Sequence, residues 1–209
     1  MASGFNVEVV DITGSREYES YLYRCLSPIP FRKYRKRKEY LERAVPQGFH
    51  KAILIFKGDV VGQIEYAPPP ASGLPISGDD IIVMNCIWVF RRAKGHRFGR
   101  LLMDYMVESE GEAVGFSTIA LEGHWSGWLR RWQMEWLGFK PIDSVKMRHR
   151  TKHRETCFEV YLMWLPRRGG VKPPRWDTER LLEGVNFCLA HLLYHPETLK
   201  GMREIYERC

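Results

Sequence analysis

Residues 89–102 read VFRRAKGHRFGRLL: an apolar run ends, Gly95 and Gly99 stand among cationic side chains, and an apolar-periodic segment begins at once. A strand that passes through a short loop straight into a helix presents free backbone N–H groups and the positive end of the helix dipole. Such a turn suits an anion, and a pyrophosphate fits the description. Gly95 and Gly99 carry no side chain to hold phosphates away, while Lys94, His96, Arg97 and Arg100 can add charge or hydrogen bonds. The loop is neither a Walker sequence nor a three-glycine dinucleotide pattern. Taken alone, it is no more than a common strand-to-helix turn with solvated bases.

The surrounding elements decide what the turn serves. Residues 5–12 read as a first strand, and Ser15 is placed to cap a helix running to about residue 26, where Pro28 and Pro30 follow. A basic amphipathic helix over 31–45 ends at Pro46-Gln47-Gly48, and residues 51–56 and 60–66 form a hairpin around Lys57-Gly58-Asp59. The stretch 67–80 (APPPASGLPISGDD) reads as a loop. Residues 81–90 (IIVMNCIWVF) are nearly all apolar, as a central strand covered on both faces requires. A helix with one apolar stripe over 98–107, a buried strand over 115–121, a helix over 126–137 stopped by Gly138, and strands near 139–147 and 158–165 complete the order. This is an α/β (α+β) chain with helices packed on a mixed sheet.

Composition narrows the class. The 209 residues are 44% hydrophobic with 7 tryptophans, which excludes wholesale disorder and allows one main domain. There is no run of about 18 apolar residues and no basic flank with an apolar run at the N-terminus, so the expected location is the cytoplasm. The five cysteines (25, 86, 157, 188, 209) form no CxxC pair and are expected to be reduced thiols. The net charge of +7, gathered at 31–43, 91–100 and 146–154, favours a polyanionic partner without choosing among nucleic acid, membrane surface and cofactor phosphates.

The six residues Lys94-Gly95-His96-Arg97-Phe98-Gly99 resemble the acyl-CoA loop of the GNAT superfamily of N-acyltransferases, (Arg/Gln)-x-x-Gly-x-(Gly/Ala) after a central strand. Trp136-Leu137-Gly138-Phe139 is similar to the later helix-to-strand signature of that family, and the likeness covers roughly residues 5–165. Asn85-Cys86-Ile87-Trp88-Val89 and Gly123-His124-Trp125 further resemble a group of acetyltransferases typified by YoaP-like proteins. The resemblance implies a GNAT-like mixed sheet, acetyl-CoA as acyl donor, and a backbone around Ile87, Trp88 and Val89 that pairs with the pantetheine arm. This sequence departs from that pattern both in the loop and at the expected proton donor. Lys94 keeps a cation but loses the planar fork, and Arg97 stands where the family has glycine. Met134 occupies the place of a tyrosine that protonates the leaving thiolate in many relatives, and a thioether cannot donate a proton.

Direct acetyl transfer needs a neutral amine, a polarised thioester and a proton acceptor. Glu122 and His124, at the C-terminal end of a strand, are the candidate catalytic residues, because ligands of open α/β sheets bind there. Glu65 is a third candidate, although an outward position on an alternating strand explains it better. Cys86, in an apolar run, is expected to be a core thiol. Trp128, Trp132 and Trp136 are expected to pack in the core at helical spacing, leaving Trp125 as a pocket wall. His149 and His153 lack further ligands, so no metal is expected.

The expected function is an N-acetyltransferase acting on a primary amine in a ternary complex, as a monomer or homodimer. The alternative is a catalytically degenerate acyl-CoA-binding protein with a basic RNA-binding surface. The division expected is an acetyltransferase-like domain over 1–168 and a helical C-terminal extension over 169–209. In that extension Asp177 or Thr178 caps a helix whose stripe Leu181, Leu182, Val185, Leu189 and Leu192 packs on the same domain and narrows the acceptor side of the cleft.

Overall fold

The computed structural model describes residues 7–24, 35–125, 127–150, 155–188, 191, 193–194 and 206–209. Strand β1 (Val7–Asp11) leads into a short helix α1 (Glu19–Leu22) and then α2 (Arg35–Ala44). Helix α1 starts later than expected: Tyr18 precedes it without a side-chain cap, and the Ser15 amide closes a turn on the Ile12 carbonyl instead. Helix α2 buries Arg37, Tyr40, Leu41 and Ala44, the i, i+3, i+4, i+7 set of one helical face, and passes at Val45–Gln47 into a 3-10 turn closed by Gly48 with φ 91°.

Strands β2 (His50–Phe56) and β3 (Asp59–Ala67) form the expected hairpin, with Lys57 and Gly58 both at positive φ in its turn. The proline-rich stretch is not all loop. It carries helix α3 (Pro69–Ser72), with proline fixing φ at the first helical position, and a short strand β4 (Ile76–Ser77). Strand β5 (Ile81–Val89), helix α4 (Phe98–Ser109), strand β6 (Gly115–Glu122), helix α5 (Arg131–Leu137) and strands β7 (Lys140–His149) and β8 (Phe158–Pro166) follow in the expected order. Helix α5 begins five residues late because the Leu129 carbonyl accepts from the Leu121 amide, 2.9 Å, and Arg130 is extended. That sheet-like bond withdraws the residues before 131 from the helix.

The C-terminal segment adds strand β9 (Arg175–Trp176), helix α6 (Thr178–Leu182) and strand β10 (Tyr206–Arg208). Asp177 caps α6, accepting from the amides of Glu179 and Arg180 at 3.0 and 3.1 Å. The long helix expected there is, among the described residues, a helix of 5 residues, followed by a turn at Gly184 with φ 71°. Leu189 and Leu192 lie outside the described residues.

The eight-stranded sheet has the order β1-β2-β3-β5-β6-β8-β7-β10, with β5 and β6 parallel and every other neighbour antiparallel; β4 pairs with β9 separately. Helix α4 lies on one face against β3, where a Cβ on Gly62 would stand 3.3 Å from Leu102 and 3.1 Å from the Trp88 carbonyl. On the other face Tyr40 of α2 donates to the Ala71 carbonyl of α3 and stacks on Phe187 of the C-terminal segment, centroids 4.1 Å apart. No described helix is long and apolar enough to cross a membrane.

Candidate functional site

Strands β5 and β6 are paired only at Ile81–Gly115, Ile82–Phe116 and Val83–Ser117. Beyond that point they part, although β5 runs on to Val89 and β6 to Glu122. Thr118 Oγ1 donates to the Met84 carbonyl at 2.7 Å, taking up the first carbonyl past the last pair. Asn85 then bulges out of the β3 ladder, which passes from Tyr66–Met84 to Glu65–Cys86. Its Nδ2 donates to the Ser72 carbonyl and, at 3.3 Å, to the Tyr40 hydroxyl. Ile87, Trp88 and Val89 are half-buried and hold β3 through Ile64, Gln63 and Gly62, so their other edge faces the gap left by β6. Trp88 Nε1 is buried there with no acceptor among the described residues.

The loop above the gap is built on left-handed backbone. Gly95 has φ 90° and Arg97 has φ 57°, the conformation a glycine would take most easily at that position. The amides of Arg100 and Leu101 both donate to the Arg97 carbonyl, which leaves the Phe98 and Gly99 amides ahead of the helical ladder. A Cβ built on Gly95 or Gly99 meets nothing within 4 Å, so the space over the turn is open. Phe98 is buried and anchors the turn; its ring lies 5.0 Å from Phe56, and His96 stacks on it at 5.0 Å. Lys94 and Arg97 are exposed. Arg100 is committed elsewhere: its guanidinium donates to the Trp136 and Leu137 carbonyls at 2.8 and 3.0 Å, closing the C-terminal end of α5.

Glu122 and His124 stand apart from this loop, at the end of β6. They border a cavity of about 690 Å³ also lined by Trp125, Arg130, Arg131, Trp132, Glu135 and Thr156, with no lining residue from β5 or the glycine loop. Glu122 Oε2 receives Arg131 Nη1 at 3.2 Å and lies 2.8 Å from the Tyr161 hydroxyl, which also lies 2.7 Å from Glu159. Desolvation and the two carboxylates push the Tyr161 phenol up to about 12. Tyr161 could not be singled out in the sequence, because it sits in an apolar run of β8 and meets Glu122 only through pairing of Ala120 with Tyr161. His124 is half-buried, stacked on Trp125 at 3.8 Å and edge-on to Phe158 at 4.7 Å.

Several expectations are corrected. Glu65 is not an outward position: at 4% exposure it is buried between Arg37 Nη2 at 2.6 Å and Lys51 Nζ at 2.9 Å. Burial would raise its carboxyl, but the two cations outweigh that and hold it below the ordinary carboxylate range, so it is a poor proton acceptor. Trp132 and Trp136 are not core residues but are 62% and 54% exposed, and α5 buries Met134 and Leu137 instead. The cysteines are not all thiols: Cys157 is disulfide-bonded to Cys209. Cys86 remains a buried thiol, raised by desolvation, with Gln63 Nε2 3.5 Å from its sulfur. His149 packs against the Tyr206 ring at 4.5 Å, and His153 lies outside the described residues.

No protein-family model matches the sequence, and no curated protein matches it. Solved structures do resemble it. A GNAT-family protein from Desulfovibrio desulfuricans superposes with a TM-score of 0.57 at 16% identity, covering 77% of this chain and 99% of that one. The ribosomal-protein-S18-alanine N-acetyltransferase of Escherichia coli gives 0.53 at 10% identity over 80% of this chain and 99% of its own. A GNAT-family acetyltransferase of Elizabethkingia anophelis, solved with acetyl-CoA bound, gives 0.51 at 13% identity over 77% and 98%. With its parted parallel strands, its bulge at Asn85 and the glycine turn that opens α4, this chain has the fold of the GNAT acetyltransferases.

Proposed function

We propose that this chain is an N-acetyltransferase that takes an acetyl group from acetyl-CoA and passes it directly to a primary amine. The observation that carries the reading is the parting of β5 from β6 after Val83 and Ser117, directly below a turn whose Phe98 and Gly99 amides are uncommitted to the helix. A pyrophosphate-linked chain of amides fits both halves. The amides of residues 95–99 and the cations of Lys94 and Arg97 suit the phosphates, and the free edge of Ile87, Trp88 and Val89 suits the amide chain. Bound there, acetyl-CoA would supply an activated acyl carbon.

The remaining chemistry falls to the chain's own groups. Glu122 or His124 accepts the proton of the attacking amine, directly or through a water in the cavity they border. Met134, 2% exposed and without a proton, leaves protonation of the departing thiolate to water. Cys86 stays structural, since a neutral buried thiol is a weak nucleophile. The C-terminal segment packs on α2, where Phe187 stacks on Tyr40, and our reading gives it the further role of narrowing the acceptor side.

The RNA-binding alternative is the less favoured reading because several of the cations it needs are engaged. Arg37 pairs with Glu65, and Arg148 and Arg150 pair with Glu207. The test is a thermal-shift titration with acetyl-CoA, followed by thiol release over an amine panel for the wild type, Glu122→Gln and His124→Ala. Stabilisation by acetyl-CoA with turnover lowered on the order of 100-fold in one of the two variants is expected. Absence of any shift at millimolar acetyl-CoA defeats the reading.

A further inference from the structure

Tryptophan is seldom left in water without a use, yet α5 presents Trp132 and Trp136 one helical turn apart at 62% and 54% exposure. The second of them is held in place. Arg100, in the first turn of α4 and adjacent to Gly99, donates to the Trp136 and Leu137 carbonyls at 2.8 and 3.0 Å. Its guanidinium carbon also lies 5.4 Å from the centre of the Trp136 ring. A cation that would otherwise be free to meet phosphate is thus spent on fixing an exposed indole beside the anion-binding turn.

Resting on the acetyl-CoA reading above, we propose that Trp136 is the stacking platform for the adenine of the bound cofactor. The chemistry selects that occupant. A ligand whose phosphates sit on the 95–99 turn brings a flat purine within a few bonds of them, and an indole held by a guanidinium offers that purine a π-surface to stack on. A protein partner would call for a wider apolar patch, and the carbonyl bonds of Arg100 would be unnecessary for it. The assignment also gives Arg100 a role: it orients the platform rather than binding phosphate.

The experiment compares dissociation constants for coenzyme A and for 4′-phosphopantetheine, which lacks the adenosine part, by calorimetry on the full chain. The wild type, Trp136→Ala, Trp136→Phe and Gly99→Glu are measured. Removal of a base–aromatic stack lowers affinity by between about 5- and 150-fold. Trp136→Ala should therefore weaken coenzyme A at least about five-fold and leave phosphopantetheine within about two-fold, while Trp136→Phe restores most of the loss. Gly99→Glu should weaken both ligands, because each puts a phosphate on the turn. Equal binding of coenzyme A by Trp136→Ala and wild type overturns the platform, as does an equal loss for both ligands, which would make Trp136 a structural prop of the α4–α5 junction. A wild-type chain that binds neither ligand overturns the cofactor reading itself, and the platform with it.

Discussion

The Thr118 hydroxyl donates to the Met84 carbonyl at 2.7 Å at the place where two parallel strands stop pairing. Both residues are buried, so the carbonyl would otherwise face an apolar interior without water. This one bond ends the β5–β6 ladder cleanly and lets the strands diverge without an orphaned acceptor at the fork. Thr118→Val keeps the shape and removes the donor. The expected cost is about 1–3 kcal/mol in urea unfolding, with weaker acetyl-CoA binding as the fork relaxes. Unchanged stability would show that Met84 finds another donor.

Arg97 holds a left-handed conformation that costs a non-glycine residue roughly 1–2 kcal/mol. Arg97→Gly is therefore expected to leave stability unchanged or raise it by up to about 1 kcal/mol, against the usual direction for glycine near a helix. Arg97→Val should lower it, because a branched Cβ is hardest to fit there. Urea midpoints of the pair decide the point. Their coenzyme A affinities at two salt concentrations then show whether the Arg97 charge helps bind phosphate.

Glu65 holds two buried cations, and removing its charge strands both. Glu65→Gln should destabilise the fold by about 3–5 kcal/mol, the scale for a buried pair broken on one side. The pH dependence has a definite sign. A carboxyl whose folded pKa is depressed contributes stability above its unfolded value, about 4.3, and that contribution is lost as pH falls through the lower folded value. The wild type should therefore lose stability below about pH 4.3 more steeply than Glu65→Gln does, measured by thermal melts across acid pH.

The Cys157–Cys209 bond joins residues 52 positions apart and ties β10 to the start of β8. Closing a loop of that length constrains the unfolded chain by roughly 2–4 kcal/mol. Cys209→Ser, or reduction of the wild type, should lower the melting temperature and raise hydrogen exchange in β7, whose partner Tyr206 is fully buried. An identical melting profile with and without reductant would show that the bond contributes nothing to stability in solution.

Local physics carries the features that are legible in the sequence. The apolar run of β5, the 3.6-residue stripe of α4, the Lys57-Gly58 turn and the Gly138 stop are each written in a few adjacent residues, and neighbouring elements did not override them. The glycine turn was legible for the same reason, since strand, glycines and helix are contiguous in the chain. Other features have their cause far away in the chain. Helix α5 lost its first turns to a backbone bond with Leu121, and its tryptophans went to the surface because Met134 and Leu137 took the buried face. Glu65 looked solvent-facing until α2 and β2 brought Arg37 and Lys51 to it. Tyr161 and Cys209 gained their partners only through strand register and chain closure. Sequence by itself determined the order of elements from β5 to β8 and the glycine turn that opens α4, because those depend on backbone periodicity and on residues next to one another. Tertiary structure alone decided which polar and aromatic side chains are buried, paired or free, because that depends on which distant segment occupies the space beside each of them.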